Sequence, residues 1–443
     1  MRLATGIASA ACLALGLTGA ASCSSDESQP SSSSQPDASA DAADASSKIA
    51  DRTFGGFEPW ASPIDDYLAV GQATYPATFN RAIVDLAPLG TKMFIGYGDA
   101  TYNLGEKTPI EFRFFSSADD PTAQAAVVDG AGQGEQQTTP QQSGEEQIDR
   151  YRVLDGVLWQ AGIDSIDADE LWTQANTTPK GIQGNVYRLA GDTWSKYRSI
   201  NGGEHVHDVT RWNGALYAVG SGADTRTEFE AGQVFRYLWH SGDQGVSFDT
   251  VERVQVAVAG QGDTRWVTLL PSSDALYLFG YESEFSTNTA SLRNAVYDGQ
   301  SVTPLPTGHA FEKLYATDVH SLSDGGAIVT GIDVSSSPSK ATAGWLHADG
   351  SYATLSTFAG STVVDAATTD TDEVVYLVTA GDQSDDTATS FDVRVLVAPI
   401  ADPNAVSELL HFTTDVRPVS IAHWQGALFL GTNDGKVLRA RPS

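Results

Sequence analysis

The chain has 443 residues, 41% of them hydrophobic, and a formal net charge of -30 at pH 7. That length allows a large core or several domains. The charge excludes a nucleic-acid surface, which needs clustered Lys and Arg, and electrostatic attraction to an anionic bilayer.

In chain order, Met1-Arg2 gives a short positive start, and Leu3 to Gly19 form an apolar run too short to span a membrane. Ala20-Ala21-Ser22-Cys23 resembles a bacterial lipobox, with Ala at the position where Leu is more usual. The resemblance implies a signal peptide over 1–22, acylation of Cys23 and a lipid-anchored protein of the cell envelope. Ser24 after the cysteine fits sorting to the outer membrane. A different signal-peptidase cut, near Ala20 or Ser22, would leave Cys23 as a lone thiol. Cys12 leaves with the signal in either case, so no disulfide forms within the mature chain and its fold rests on packing. Residues 23–55 are read as a tether. From Ser24 to Ser47 they are nearly all Ser, Asp, Ala, Gln and Pro, a composition that cannot offset chain entropy by burial. The folded body is placed at 56–443.

Two patterns then alternate. The first is a turn, an apolar strand and a closing glycine, as in Asp155 to Gly162, Asn213 to Gly220, Asp274 to Gly280, Gly326 to Gly331 and Gln425 to Gly431. Weaker copies lie at Lys92 to Gly98 and Glu373 to Thr379. The second follows each of these, as in Gly184-Asn185-Val186-Tyr187-Arg188, Gly232-Gln233-Val234-Phe235-Arg236 and Gly435-Lys436-Val437-Leu438-Arg439. Val- and Tyr-rich runs punctuated by Asn-Gly and Asp-Gly favour antiparallel hairpins, and no window shows a convincing helical period. Roughly seven copies at this spacing predict an all-β, seven-bladed β-propeller of four-stranded antiparallel blades. A competing count of six blades treats the residues before about 147 as a cap. The last copy has room for three strands, so an N-terminal strand should complete it, and Tyr67-Leu68-Ala69-Val70 is the expected closing strand.

The turn Ser241-x-Asp243-x-Gly245-x-Ser247-Phe248 resembles the Asp box, or BNR repeat, of sialidase-like propellers, whose pattern is Ser-x-Asp-x-Gly-x-Thr-Trp. The carboxylate ties down backbone N–H groups, Gly245 permits positive φ, and Phe248 plugs between sheets. Asp192-Thr193-Trp194, Asp298-Gly299 and Asp349-Gly350 occupy equivalent turns. In that superfamily the box lies opposite the active site, so it bears on fold. The stretch from Ile148 through Val219 also resembles bacterial propeller proteins without an assigned activity. Sialidase chemistry needs three arginines, a Tyr–Glu pair and an aspartic acid. The first-blade arginine motif is missing, with Arg81-Ala82-Ile83-Val84 in its place.

His205 and His207, two apart on one strand, project from one face and are capable of sharing a metal, with His309 and His320 as distant third ligands; Asp208 is expected to point away. An ordinary hydrogen-bonded histidine pair near the channel is the preferred reading, and no metal site is assigned. Asp164, Asp167, Asp169 and Glu170 cluster in a loop that calcium would suit, but without EF-hand spacing a solvated acidic loop is the preferred reading; no cofactor is expected. Long connections between second and third strands predict a polar crown at one rim, with Tyr97, Asp99, Tyr102, Asp164, Trp172, Tyr281 and Glu282 as contact residues. The leading expectation is a monomeric, membrane-anchored propeller that binds a protein, glycan or envelope component. The alternative is a secreted hydrolase or lyase acting on a polysaccharide. That reading requires a carboxylate pair converging beside an arginine at the channel mouth.

Overall fold

The computed structural model describes residues 48–443, apart from 76–78, 101–103, 130–138, 164–182, 256–261, 285–288, 336–339, 359 and 381–387. Seven sheets stand in a ring, each built outward from an inner strand. The inner strands are Asp85–Leu89, Tyr151–Leu154, His205–Trp212, Gly262–Pro271, Leu314–Ser321, Ser361–Thr368 and Pro418–Trp424. Every blade is an antiparallel meander of four strands. The second blade adds an outer strand, Val127–Asp129, that runs parallel to Thr193–Asn201, and the fourth adds Thr289–Leu292 beside Leu276–Glu284. The residues before 147 therefore build the first blade, and the seven-blade count holds. Among the described residues no helix is long and apolar enough to cross a membrane.

Ring closure differs from the expectation in one respect. The strand that completes the seventh blade is Glu58–Ala61, paired antiparallel with Val437–Ala440. Pro59 is tolerated because this is an edge strand. Trp60 wedges between Phe115 at 4.4 Å and Phe429 at 4.8 Å, joining first and last blades. Tyr67 to Val70 instead belong to an α-helix, Asp65–Thr74. Asp65 and Asp66 favour its first turn electrostatically. Tyr67 and Gly71, four apart, face inward, where Gly71 leaves room for the Phe79 ring.

Five of the inner strands carry a register shift at one height, between Val206 and Asp208, Trp266 and Thr268, Ala316 and Asp318, Val363 and Asp365, and Pro418 and Ser420. Such bulges reset the alternation of side chains. Asp208 consequently faces the axis rather than away from it. The recurring glycine is explained by the same feature: a Cβ on Gly220 would sit 1.9 Å from the His205 carbonyl oxygen on the bulged strand.

The turn from Ser241 to Phe248 forms as its residues dictate. Asp243 accepts hydrogen bonds from the Ser247 amide at 2.9 Å and the Ser247 hydroxyl at 2.6 Å. Ser241 Oγ accepts from the Gly245 amide, whose φ is +89°. Phe248 packs into the cluster between second and third blades with Trp159 and Trp239. These hydrogen bonds hold the Asp243 carboxyl down at about 2.

Candidate functional site

At the five bulges, and at the matching positions of the first two blades, one polar side chain per blade points to the axis. Asp208 accepts from the Val209 amide of its own strand at 2.9 Å and from the Leu269 amide of the next blade at 2.8 Å. Asp365 repeats this with Ala366 and Ile421, both at 2.8 Å. Asp85 reaches the Tyr151 amide of the next blade at 2.7 Å, and Ser420 donates to the Ile83 carbonyl at 2.8 Å. These contacts satisfy backbone groups that the bulges expose, and they fasten each blade to its neighbour.

In the second blade the equivalent residue is Arg150, a cation among acids. Its guanidinium meets Asp318 at 3.0 Å and Asp208 at 3.3 Å, and it donates to the Thr317 carbonyl. Arg152 grips both oxygens of Asp208, at 2.9 and 2.6 Å, and donates to the Val319 carbonyl. Two arginines from one blade thus cross the axis to the fifth. Burial works to raise the Asp318 carboxyl, but Arg150, His320 and Arg152 outweigh it and hold it below its ordinary value. Asp365 goes the other way: burial, reinforced by Asp318, pushes it well up. Burial also lifts Asp85 to about 7 and Asp149 to about 6.

The expected site residues scatter. Tyr97 is a core side chain, its hydroxyl accepting from the Glu111 amide at 3.0 Å. Asp99 is buried and accepts from the Asn80 amide at 2.5 Å. Tyr102, Asp164 and Trp172, with the acidic loop 164–170, lie outside the described residues. His205 and His207 stack with ring centres 5.9 Å apart. Arg265 stands 3.5 Å from His207 Nε2, and burial with that neighbouring cation drives the imidazole's pKa well below its usual value. A cation in that place opposes a metal shared by the pair.

Tyr281 does line a concave surface, and Glu282 is bound by two of the arginines that line it. A recess of about 870 Å³ opens on the rim that carries the connections between second and third strands, spanning the third to fifth blades. Arg236, Arg293 and Lys313 enter it from three separate blades. Arg236 stacks 5.2 Å from the Trp266 ring centre and donates to Thr264 Oγ1 at 2.6 Å. It shares Glu282 with Arg293, at 3.5 and 3.0 Å. Lys313 pairs with Glu312 at 3.0 Å. Tyr281 lines the recess at 1% exposure, and its hydroxyl has no hydrogen-bond partner among the described residues. A buried, unpaired hydroxyl costs free energy that a ligand would return.

No family model matches the chain, and no curated protein does. Solved structures with propellers align over most of it. The GH74 xyloglucanase from Xanthomonas campestris is 11% identical with a TM-score of 0.45, the alignment covering 82% of this chain and 53% of that one. A polysaccharide lyase of the ulvan lyase family PL25 is 10% identical with a TM-score of 0.44, covering 82% and 92%. The propeller domain of the Trilobed protease from Pyrococcus furiosus is 9% identical, TM-score 0.42, covering 82% and 93%. The likeness is one of fold. Its members differ in activity, as propellers do, so the chemistry must be read from this chain's own residues.

Sequence reasoning missed both the axial ring and the basic side of the recess. The ring left a signal in the steps Asp85-Leu86, Asp208-Val209, Asp318-Val319 and Asp365-Ala366, each opening the body of an inner strand. The recess left none, because its side chains come from distant parts of the chain.

Proposed function

We propose that this chain is an exported, lipid-anchored propeller that binds an envelope or extracellular ligand in the rim recess. The observation that carries the reading is the Tyr281 hydroxyl, buried without a partner among the described residues in a recess that Arg236 and Arg293 also line. Arg, Lys and Glu side chains over an aromatic floor offer donors, acceptors and a flat apolar surface together, the combination that a hydroxyl-rich glycan uses. Kinship with Asp-box propellers belongs to the same proposal and is supported by the Ser241 to Phe248 turn.

The test is binding of the full-length chain to a glycan array and to envelope extract. Arg293→Ala, at a half-exposed side chain, should weaken binding about tenfold, roughly 1.4 kcal/mol, without lowering Tm. Tyr281→Phe should weaken binding while leaving the fold as stable or slightly more so. Binding indifferent to both would place the ligand elsewhere. Mass spectrometry should find acylated Cys23 at the mature N-terminus; a cut elsewhere removes the anchor.

One observation favours a second reading, a glycan hydrolase or lyase. Asp318 and Asp365 converge beside Arg150 with their carboxyls shifted in opposite directions, a division suited to a base and an acid. Most of their oxygens are already engaged by backbone amides and arginines, which is why binding is preferred. Depolymerisation of a polysaccharide that Asp318→Asn abolishes would reverse the order.

A further inference from the structure

The fifth and sixth inner strands bring together three side chains that the rim recess does not use. Asp318 and His320, two apart, share the axial face of Leu314–Ser321, and the bulge before Asp365 turns its carboxylate toward them. His320 Nε2 lies 3.4 Å from Asp365 Oδ1 and 3.9 Å from Asp318 Oδ2. One ligand atom from each residue lies within 4.8 Å of the others. The Nε2 atom is itself buried and has no hydrogen-bond partner among the described residues. These separations exceed ordinary hydrogen bonds. They approach the edges of a coordination shell: ligands about 2.0–2.2 Å from a tetrahedral ion stand roughly 3.3–3.5 Å apart. The charge balance points the same way. Among the described residues, Asp85, Asp149, Asp208, Asp318 and Asp365 share the guanidiniums of Arg150 and Arg152, and buried like charges need a compensating cation or protons.

We propose that Asp318 Oδ2, His320 Nε2 and Asp365 Oδ1 hold one divalent metal ion of the zinc or manganese class in the channel wall. An imidazole with two carboxylates suits that class better than calcium or magnesium, which favour all-oxygen shells. The other carboxylate oxygens keep their partners. Asp318 Oδ1 receives Arg150 and the Val319 amide, and Asp365 Oδ2 receives the Ile421 amide, while the ligand atom Asp365 Oδ1 also accepts the Ala366 amide at 2.8 Å and has its second lone pair for the ion. Those contacts orient the ligands from behind. Arg150 and Arg152 approach Asp318 through the oxygen that does not face the ion. The site is separate from the recess and stands or falls without it.

The full-length chain, stripped with chelator and dialysed, is titrated calorimetrically with zinc chloride and then, afresh, manganese chloride. The buffer holds 0.15 M sodium chloride and excess magnesium to occupy surface acids. One equivalent of at least one of the two metals should bind. His320→Ala should weaken that step about 10- to 100-fold. Metal-free His320→Ala should melt within about 2 °C of the parent, since His320 makes no hydrogen bond that the fold needs; His320→Gln is the second variant should Ala perturb packing. Absence of a stoichiometric step for both metals overturns the proposal. So does a step unchanged in both variants, or one that calcium chloride reproduces equally.

Discussion

Asp208 shows how much one side chain holds at the axis. Its side chain is 1% exposed and accepts two backbone amides and two guanidiniums. Asp208→Asn keeps the shape but leaves Arg152 buried without its anion, a loss of about 3–5 kcal/mol by analogy with broken buried pairs. Denaturant unfolding should show it, and Arg152→Met added to the same chain should recover part of the loss, because neighbouring residues of one network are not additive. Asp85 makes a different demand. Burial and Asp318 raise its carboxyl to about 7 against the Tyr151 amide and Arg150, with Asp365 also facing it. The folded state therefore keeps a proton that the unfolded chain has already released above about pH 4. Where the native state binds more protons, stability falls as pH rises. The Asp85 contribution to Tm of the metal-free protein should thus decline from pH 5 to pH 7 and level off beyond, read as the difference from Asp85→Asn because His207, lowered by burial, slopes the opposite way. Asp85→Asn, whose amide oxygen still accepts from Tyr151, should flatten that decline; an unchanged slope would mean Asp85 is ionised throughout.

At the scale of the strand, bulge and glycine form one device. The Gly220 Cβ position is occupied by the His205 carbonyl and that of Gly280 by the Arg265 carbonyl, at 1.9 and 2.0 Å. Backbone must move to admit a methyl group, so Gly220→Ala should cost about 1–3 kcal/mol, as overpacking does, measured as a lower denaturation midpoint at unchanged m. The glycines were visible in the sequence as a repeated stop, and with the Asn-Gly and Asp-Gly turns they suffice to count blades. Their cause was not visible. Strict alternation puts Asp208 on the face opposite His205 and His207, and only the bulge turns it to the axis. Tyr67 to Val70 misled for a similar reason. Four residues of mixed apolar character fit a strand, whereas the inward pair Tyr67 and Gly71 extends past that window, and Asp65 and Asp66 mark a helix start. In the recess, Tyr281 and Glu282 were legible from a long connection. Arg236 and Lys313 were not, since no spacing along a chain reports which blades are neighbours.

Across the whole molecule, the chain ends fix an orientation. Glu373, beside the turn between first and second strands of the sixth blade, accepts the Ile49 and Ala50 amides at 2.7 and 3.1 Å. Ile49 and Phe54 are buried against the sixth and seventh blades, and Phe54 bridges Pro442. A tether reaching Lys48 therefore arrives at the face of these turns, opposite the rim where the recess opens. If the proposed tether is flexible, the roughly 25 residues from Cys23 to Lys48 would reach about 25–30 Å. If Cys23 carries the lipid, the recess looks away from the membrane, where a ligand arrives unhindered. Acylation of Cys23 and loss of Cys12 with the signal would leave no other thiol, so single cysteines report position cleanly. A fluorophore on Asp349→Cys, in a turn between third and fourth strands, should be quenched by bilayer-embedded quencher more strongly than one on Ser335→Cys at the recess. Equal quenching would mean that the body tumbles freely on its tether. The reverse order would turn the recess toward the lipid and make the bilayer surface, rather than a soluble or extracellular chain, the place to look for its ligand.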